Sequence, residues 1–105
     1  MRRGKEIAQG SHASMAFLTE QHGARIKLTP EANEWLAGIK TKVTLQVNSE
    51  TELLQLFFAA QNAKLEVHLI TDIGLTEFGG VHTKTCLAIG PNYSEDIDKI
   101  TSHLK

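Results

Sequence analysis

The stretch Leu65-Glu66-Val67-His68-Leu69-Ile70-Thr71-Asp72-Ile73-Gly74-Leu75-Thr76 decides how the chain is read. Its first half alternates apolar and polar side chains, the period of a strand with one buried face. Its second half places a carboxylate, a glycine and a hydroxyl at alternate positions (Asp72, Gly74, Thr76), where the strand gives way to a loop. Gly74 allows a backbone turn that a side chain would block. Ligands of open α/β sheets bind at such strand ends. Read alone, the run is an Asp/Gly turn; the rest of the chain decides whether it is more.

Upstream, Lys42-Val43-Thr44-Leu45-Gln46-Val47-Asn48 alternates strictly and predicts a strand. Ser49 and Glu52 form a capping box opening a helix to about Ala60, with Leu53, Leu54, Phe57 and Phe58 as its apolar face. Asn62-Ala63 then turns into the strand 64–70. Strand, helix and strand predict a right-handed parallel β-α-β unit. Downstream, the loop Glu77 to His82 leads to a strand over 84–89, antiparallel to its predecessor because a short loop joins them. Gly90-Pro91-Asn92 ends it. Ser94 caps a last helix that buries Ile97, Ile100 and Leu104 on one side.

At the other end, residues 4 to about 22 predict a helix, with Gly23 as its C-cap. Ile7, Met15 and Leu18 share the arc expected to face the core. Lys5, Gln9, His12 and Ala16 share the opposite arc. Lys5, Gln9 and His12 fall at i, i+4 and i+7 and line up as one stripe. Alanines and serines beside it (Ala8, Ser11, Ala13, Ser14) let a backbone or ligand approach closely. Thr29-Pro30-Glu31 predicts an N-cap, a proline at N1 and a short helix to about Ala37, closed by Gly38. The expected architecture is a single α/β domain, a three-layer α/β/α sandwich around a small mixed sheet with three strands in this chain.

The 105 residues carry 11 Lys and Arg against 12 Asp and Glu, a net charge of −1 with histidines neutral. This excludes a protein that coats nucleic acid by bulk charge and leaves room for local patches such as Arg2, Arg3 and Lys5. The lone Cys86 excludes a disulfide framework, and no His/Cys/Asp grouping suggests a metal. No apolar run reaches the roughly 18 residues of a membrane span. The start has no apolar segment of a signal peptide, so a cytoplasmic protein without membrane contact is expected.

Three pieces together resemble the type 2 peptidyl-tRNA hydrolase family. Gly4-Lys5-Glu6-Ile7-Ala8-Gln9-Gly10-Ser11-His12-Ala13 is similar to its G-K-x-x-A-Q-x-x-H-A helix motif, Asp72 to Thr76 to its D-x-G-x-T turn, and Thr83 to Pro91 to its T-x-T-x-L-x-I-G-P strand and turn. Leu75 departs from the pattern, since an arginine often stands there. The resemblance implies hydrolysis of the ester joining a peptide to the 3′ end of tRNA, with no cofactor. It implies catalytic roles for Lys5 (cation), Asp72 (base or water-orienting group) and Thr76 (positioning hydroxyl). Substrate binding would fall to Gln9, His12, Thr85, Arg2 and Arg3. His12 could act as a proton carrier, although a histidine on a helix is more often structural. The family carries an apolar strand and an Asp-Leu turn ahead of the Gly-Lys motif, giving four strands, so this chain is expected to lack the first. Three readings stay open: a start at an internal methionine, a sheet rearranged around three strands, or a second chain over the exposed edge, as in a homodimer. The competing functional class is a non-catalytic tRNA- or protein-binding remnant of the same fold.

Overall fold

A computed structural model describes residues 2–21, 25–72 and 83–104, with the side chains of Asp72, Thr83 and Lys84 outside that description. Among the described residues are four helices and one antiparallel ribbon: α1 (Arg3–Thr19), α2 (Pro30–Ala37), α3 (Glu50–Asn62), β1 (Val67–Asp72), β2 (Thr83–Ile89) and α4 (Ser94–Thr101), followed by a 3₁₀ turn over Ser102–Leu104. The α/β class therefore holds.

The helix ends follow their chemistry. The Thr29 side chain accepts from the Ala32 N–H at 3.1 Å, ahead of Pro30 at N1. The Ser49 hydroxyl accepts from the Glu52 N–H at 3.1 Å and starts α3, whose buried side is Leu53, Leu56 and Ala60. Phe58 of that helix is exposed. In α4 the N-cap is Tyr93, without a side-chain cap bond, so Ser94 is the first helical residue rather than the cap. Ile97, Ile100 and Leu104 are half-buried.

β1 and β2 pair with Val67 opposite Ile89, Leu69 opposite Leu87 and Ile70 opposite Cys86, and a bulge follows Ile70. Directly opposed residues share a face. Cys86 reaches α1, where its Sγ–H donates to the Gln9 carbonyl at 3.3 Å. His68, Ile70, Cys86 and Ala88 thus face α1, and Val67, Leu69, Leu87 and Ile89 face the other way. Both α1 and α3 contact both strands, and α4 packs on α3.

Two expectations are corrected. The segment 42–48 joins no ladder among the described residues, so the sheet there is a two-stranded antiparallel ribbon and the parallel β-α-β pairing is not formed. Its start is held by α2 instead: the Trp35 indole N–H donates to the Thr41 carbonyl at 2.9 Å, and the Lys42 ammonium lies 5.4 Å from the Trp35 ring centre. Val43 remains 66% exposed. Period-2 patterning gives a segment two faces, but a strand also needs a neighbour's main-chain groups. The Gly90 N–H donates to the Glu66 carbonyl. By alternation, the main-chain groups of Val67 and Leu69 face away from β2. That edge of β1 has no strand beside it among the described residues.

The second correction concerns α1, which is turned over. Ile7 and Met15 are 64% and 54% exposed, whereas Gln9, Ala13, Ala16 and Phe17 are buried. The alanines win the sheet-facing side because they let the helix backbone approach β2 closely enough for the Cys86–Gln9 hydrogen bond. Phe17 supplies the bulk at the far end of the helix, edge-on to Trp35 with ring centres 5.8 Å apart. The helix stops at Thr19 with Glu20 as C-cap; Gly23, the expected cap, lies outside the described residues.

Candidate active site

Turning α1 over brings its polar stripe to the sheet. Lys5, Ala8, Gln9 and His12 from α1, Glu20 from its C-cap, and Leu69, Ile70 and Thr71 from β1 line one groove of about 510 Å³. Successive residues of β1 take part, and the strand runs directly on into Asp72. Gln9 is buried, Lys5 is half-buried and His12 is exposed. The stripe thus grades from the packed helix face out to solvent, with Lys5 as the groove's fixed positive charge and Glu20 as its carboxylate.

The bulge after Ile70 falls where the site begins. It sets Ile70 opposite Cys86 and Thr71 opposite Lys84, leaving Thr85 as the extra residue. Bulges re-aim side chains in this way. The Thr85 hydroxyl donates to the Ile70 carbonyl at 3.3 Å, across the ladder. Next to it, burial pushes the Cys86 thiol up from its ordinary range, and a side-chain hydrogen bond with Thr85 opposes part of that shift. Cys86 is therefore a packed thiol rather than a nucleophile.

Of the residues expected at the site, the structure brings Lys5, Gln9 and His12 together in the groove. Asp72 is at the end of β1, paired with Thr83, and its side chain lies outside the described residues. Thr76 lies outside them entirely. Arg2 and Arg3 are exposed at the start of α1, one turn from Lys5. Thr85 is a partner of the β1 backbone. The motifs missed Glu20 and the strand residues Leu69 to Thr71. They also missed His68, whose ring nitrogens meet the carboxylates of Glu20 and Glu66. The alternation that put Glu66, His68 and Ile70 on one face was a usable signal; Glu20, 48 residues away, gave none.

A helix that lines one groove with a cation, an amide and an imidazole, beside the Glu20 carboxylate, offers positive charge and hydrogen-bond donors suited to an anionic substrate. Sequence comparison agrees. Residues 1–105 match the family model described as peptidyl-tRNA hydrolase PTH2. Proteins named peptidyl-tRNA hydrolase resemble the chain along its length. That of Methanocaldococcus jannaschii is 42% identical over 106 residues, covering 100% of this chain and 88% of the relative. That of Methanopyrus kandleri is 41% identical, covering 97% and 84%. That of Methanothermobacter thermautotrophicus is 37% identical, covering 100% and 88%. The chain belongs to the PTH2 family.

Proposed function

We propose that the chain hydrolyses the ester between a peptide and the 3′-terminal ribose of tRNA, releasing both and returning tRNA to translation in the cytoplasm. The observation that carries this reading is the convergence of Lys5, Gln9 and His12 on the groove wall that leads into Asp72. In the proposed reaction Asp72 orients or deprotonates the attacking water. Thr76 helps hold that water, and Lys5 offsets the charge that develops on the ester oxygen. Gln9 and His12 bind the acceptor end beside Lys5, with Thr85 holding the strand end against Ile70. Arg2 and Arg3, exposed beyond Lys5, meet tRNA phosphates. The chain acts as one domain. Family membership and the packing of α1 against both strands support the reading. The edge of β1 that has no strand beside it among the described residues is where a second copy would pair.

The test is direct. The chain is incubated with a peptidyl-tRNA, and free peptide and deacylated tRNA are followed. Release at a rate well above buffer, lost in Asp72→Asn with an unchanged melting curve, supports the assignment. Binding of the tRNA without release makes the chain a binding module and overturns it.

A further inference from the structure

His68 projects from β1 toward α1, on the face shared with Ile70 and Cys86. Its Nδ1 is 2.7 Å from Glu20 Oε1 and its Nε2 is 2.5 Å from Glu66 Oε2. An ionised carboxylate only accepts, so both ring nitrogens must donate, and the ring that satisfies both is the imidazolium. The His68 side chain is 17% exposed, against 48% for Glu20 and 30% for Glu66, so solvent screens the Glu20 pair more than the Glu66 pair.

Both carboxylates are built into fixed elements. Glu66 is gripped through its backbone: its N–H donates to Asn92 Oδ1 at 2.8 Å and its carbonyl accepts from Gly90 N–H at 2.8 Å. Glu20 is the C-cap of α1: its N–H donates to the Ala16 carbonyl at 3.0 Å, and the next N–H, that of Gln21, donates to the Leu18 carbonyl at 3.3 Å. A carboxylate at a helix C-terminus faces the negative end of the helix dipole, and a cation there is favourable. His68 supplies that cation and joins the end of α1 to the sheet. The other titratable groups on this side are Lys5 and His12 on α1 and Cys86 on β2.

Another polar tie between α1 and the sheet is the Cys86–Gln9 hydrogen bond, in the first half of the helix. With Ala13, Ala16 and Phe17 seating the helix by packing, the His68 bridge sets where its last turn lies against β1. We infer that His68 is a positioning residue, an imidazolium that pins the Glu20 end of α1 to β1 and so holds Lys5, Gln9 and His12 in register with the strand end at Asp72. The consequence for turnover rests on the hydrolase reading, whereas the charged bridge does not. Misplacing reacting groups by about 1 Å can cost on the order of a hundredfold in rate, so a modest pivot is enough to register.

The experiment compares His68→Gln, His68→Arg and Glu20→Gln with the parent chain. Glutamine offers one donor and one acceptor, whereas a guanidinium donates to both carboxylates. The expected result is a fall in kcat/KM on peptidyl-tRNA of about tenfold in His68→Gln, with most of it restored in His68→Arg. Glu20→Gln, at a more exposed position, falls in the same direction without unfolding. In ¹⁵N spectra the His68 ring of the parent carries a proton on each nitrogen, and in His68→Gln the amides at the Glu20 end of α1 exchange faster. A ring with one protonated nitrogen overturns the inference. So does unchanged turnover in His68→Gln, or no advantage of arginine over glutamine. A parent chain that releases no peptide overturns the hydrolase reading instead, and the ring spectrum and amide exchange still decide whether the bridge exists.

Discussion

Enlarging Ala16 is the sharpest probe of how α1 is set. Ala16 is 1% exposed and lies on the helix side that meets the sheet. Ala16→Leu adds three carbons where no space is left, and overpacking of this kind costs about 1–3 kcal/mol. In a domain of this size 1 kcal/mol moves the melting temperature by about 4–8 °C, so the variant should melt roughly 5–20 °C lower. Met15→Ala makes the contrast. Its side chain is more than half exposed, and truncation there should cost under about 1 kcal/mol. Hydrophobic periodicity predicts the opposite order, because it places Met15 inward and Ala16 outward. Thermal melts followed by circular dichroism at 222 nm, with urea midpoints as a check, separate the two. A Met15→Ala variant that loses more stability than Ala16→Leu would refute the orientation of α1, and with it the groove.

Further outcomes follow from the same structure. Phe17→Ala removes a buried ring packed edge-on against Trp35 and should cost about 3–5 kcal/mol, read as a collapse of the urea midpoint. Ser49→Ala removes the α3 cap and should cost about 1 kcal/mol; no change would mean the helix start does not depend on it. Since the Cys86 thiol is pushed above its ordinary range chiefly by burial, less of it is thiolate at pH 8. It should react with a thiol reagent far more slowly in the native chain than in urea, and equal rates would contradict the packing. Replacing Arg2 and Arg3 by alanine should flatten the log–log dependence of tRNA affinity on salt by up to about 2; an unchanged slope would take them off the phosphates.

Where a signal is local, the sequence was a good guide. Thr29-Pro30 and Ser49 to Glu52 announced α2 and α3 because a cap bond spans three residues. The two paired strands and their antiparallel sense followed from alternation and a short connection. The failures are non-local. Lys42 to Asn48 has the pattern of a strand, but pattern cannot supply the neighbouring edge, and Trp35 holds its start elsewhere. The inward side of α1 was misjudged because periodicity counts apolar mass, whereas the sheet selects for close approach, which favours Ala13 and Ala16 over Ile7 and Met15. Lys5, Gln9 and His12 are legible as a stripe at i, i+4 and i+7, but periodicity alone sets that stripe on the arc away from the core. Glu20 and His68 meet across 48 residues of chain, a distance at which no motif speaks.

The account stands most directly on Lys5, the cation that α1 brings into the groove. The decisive measurement is single-turnover hydrolysis of a peptidyl-tRNA by the parent chain and by Lys5→Ala, with melting curves for both. The parent is expected to release peptide steadily, the variant to lose about a hundredfold or more of that rate, and the two to melt at matching temperatures. Release at parental rate by Lys5→Ala would contradict the role assigned to Lys5.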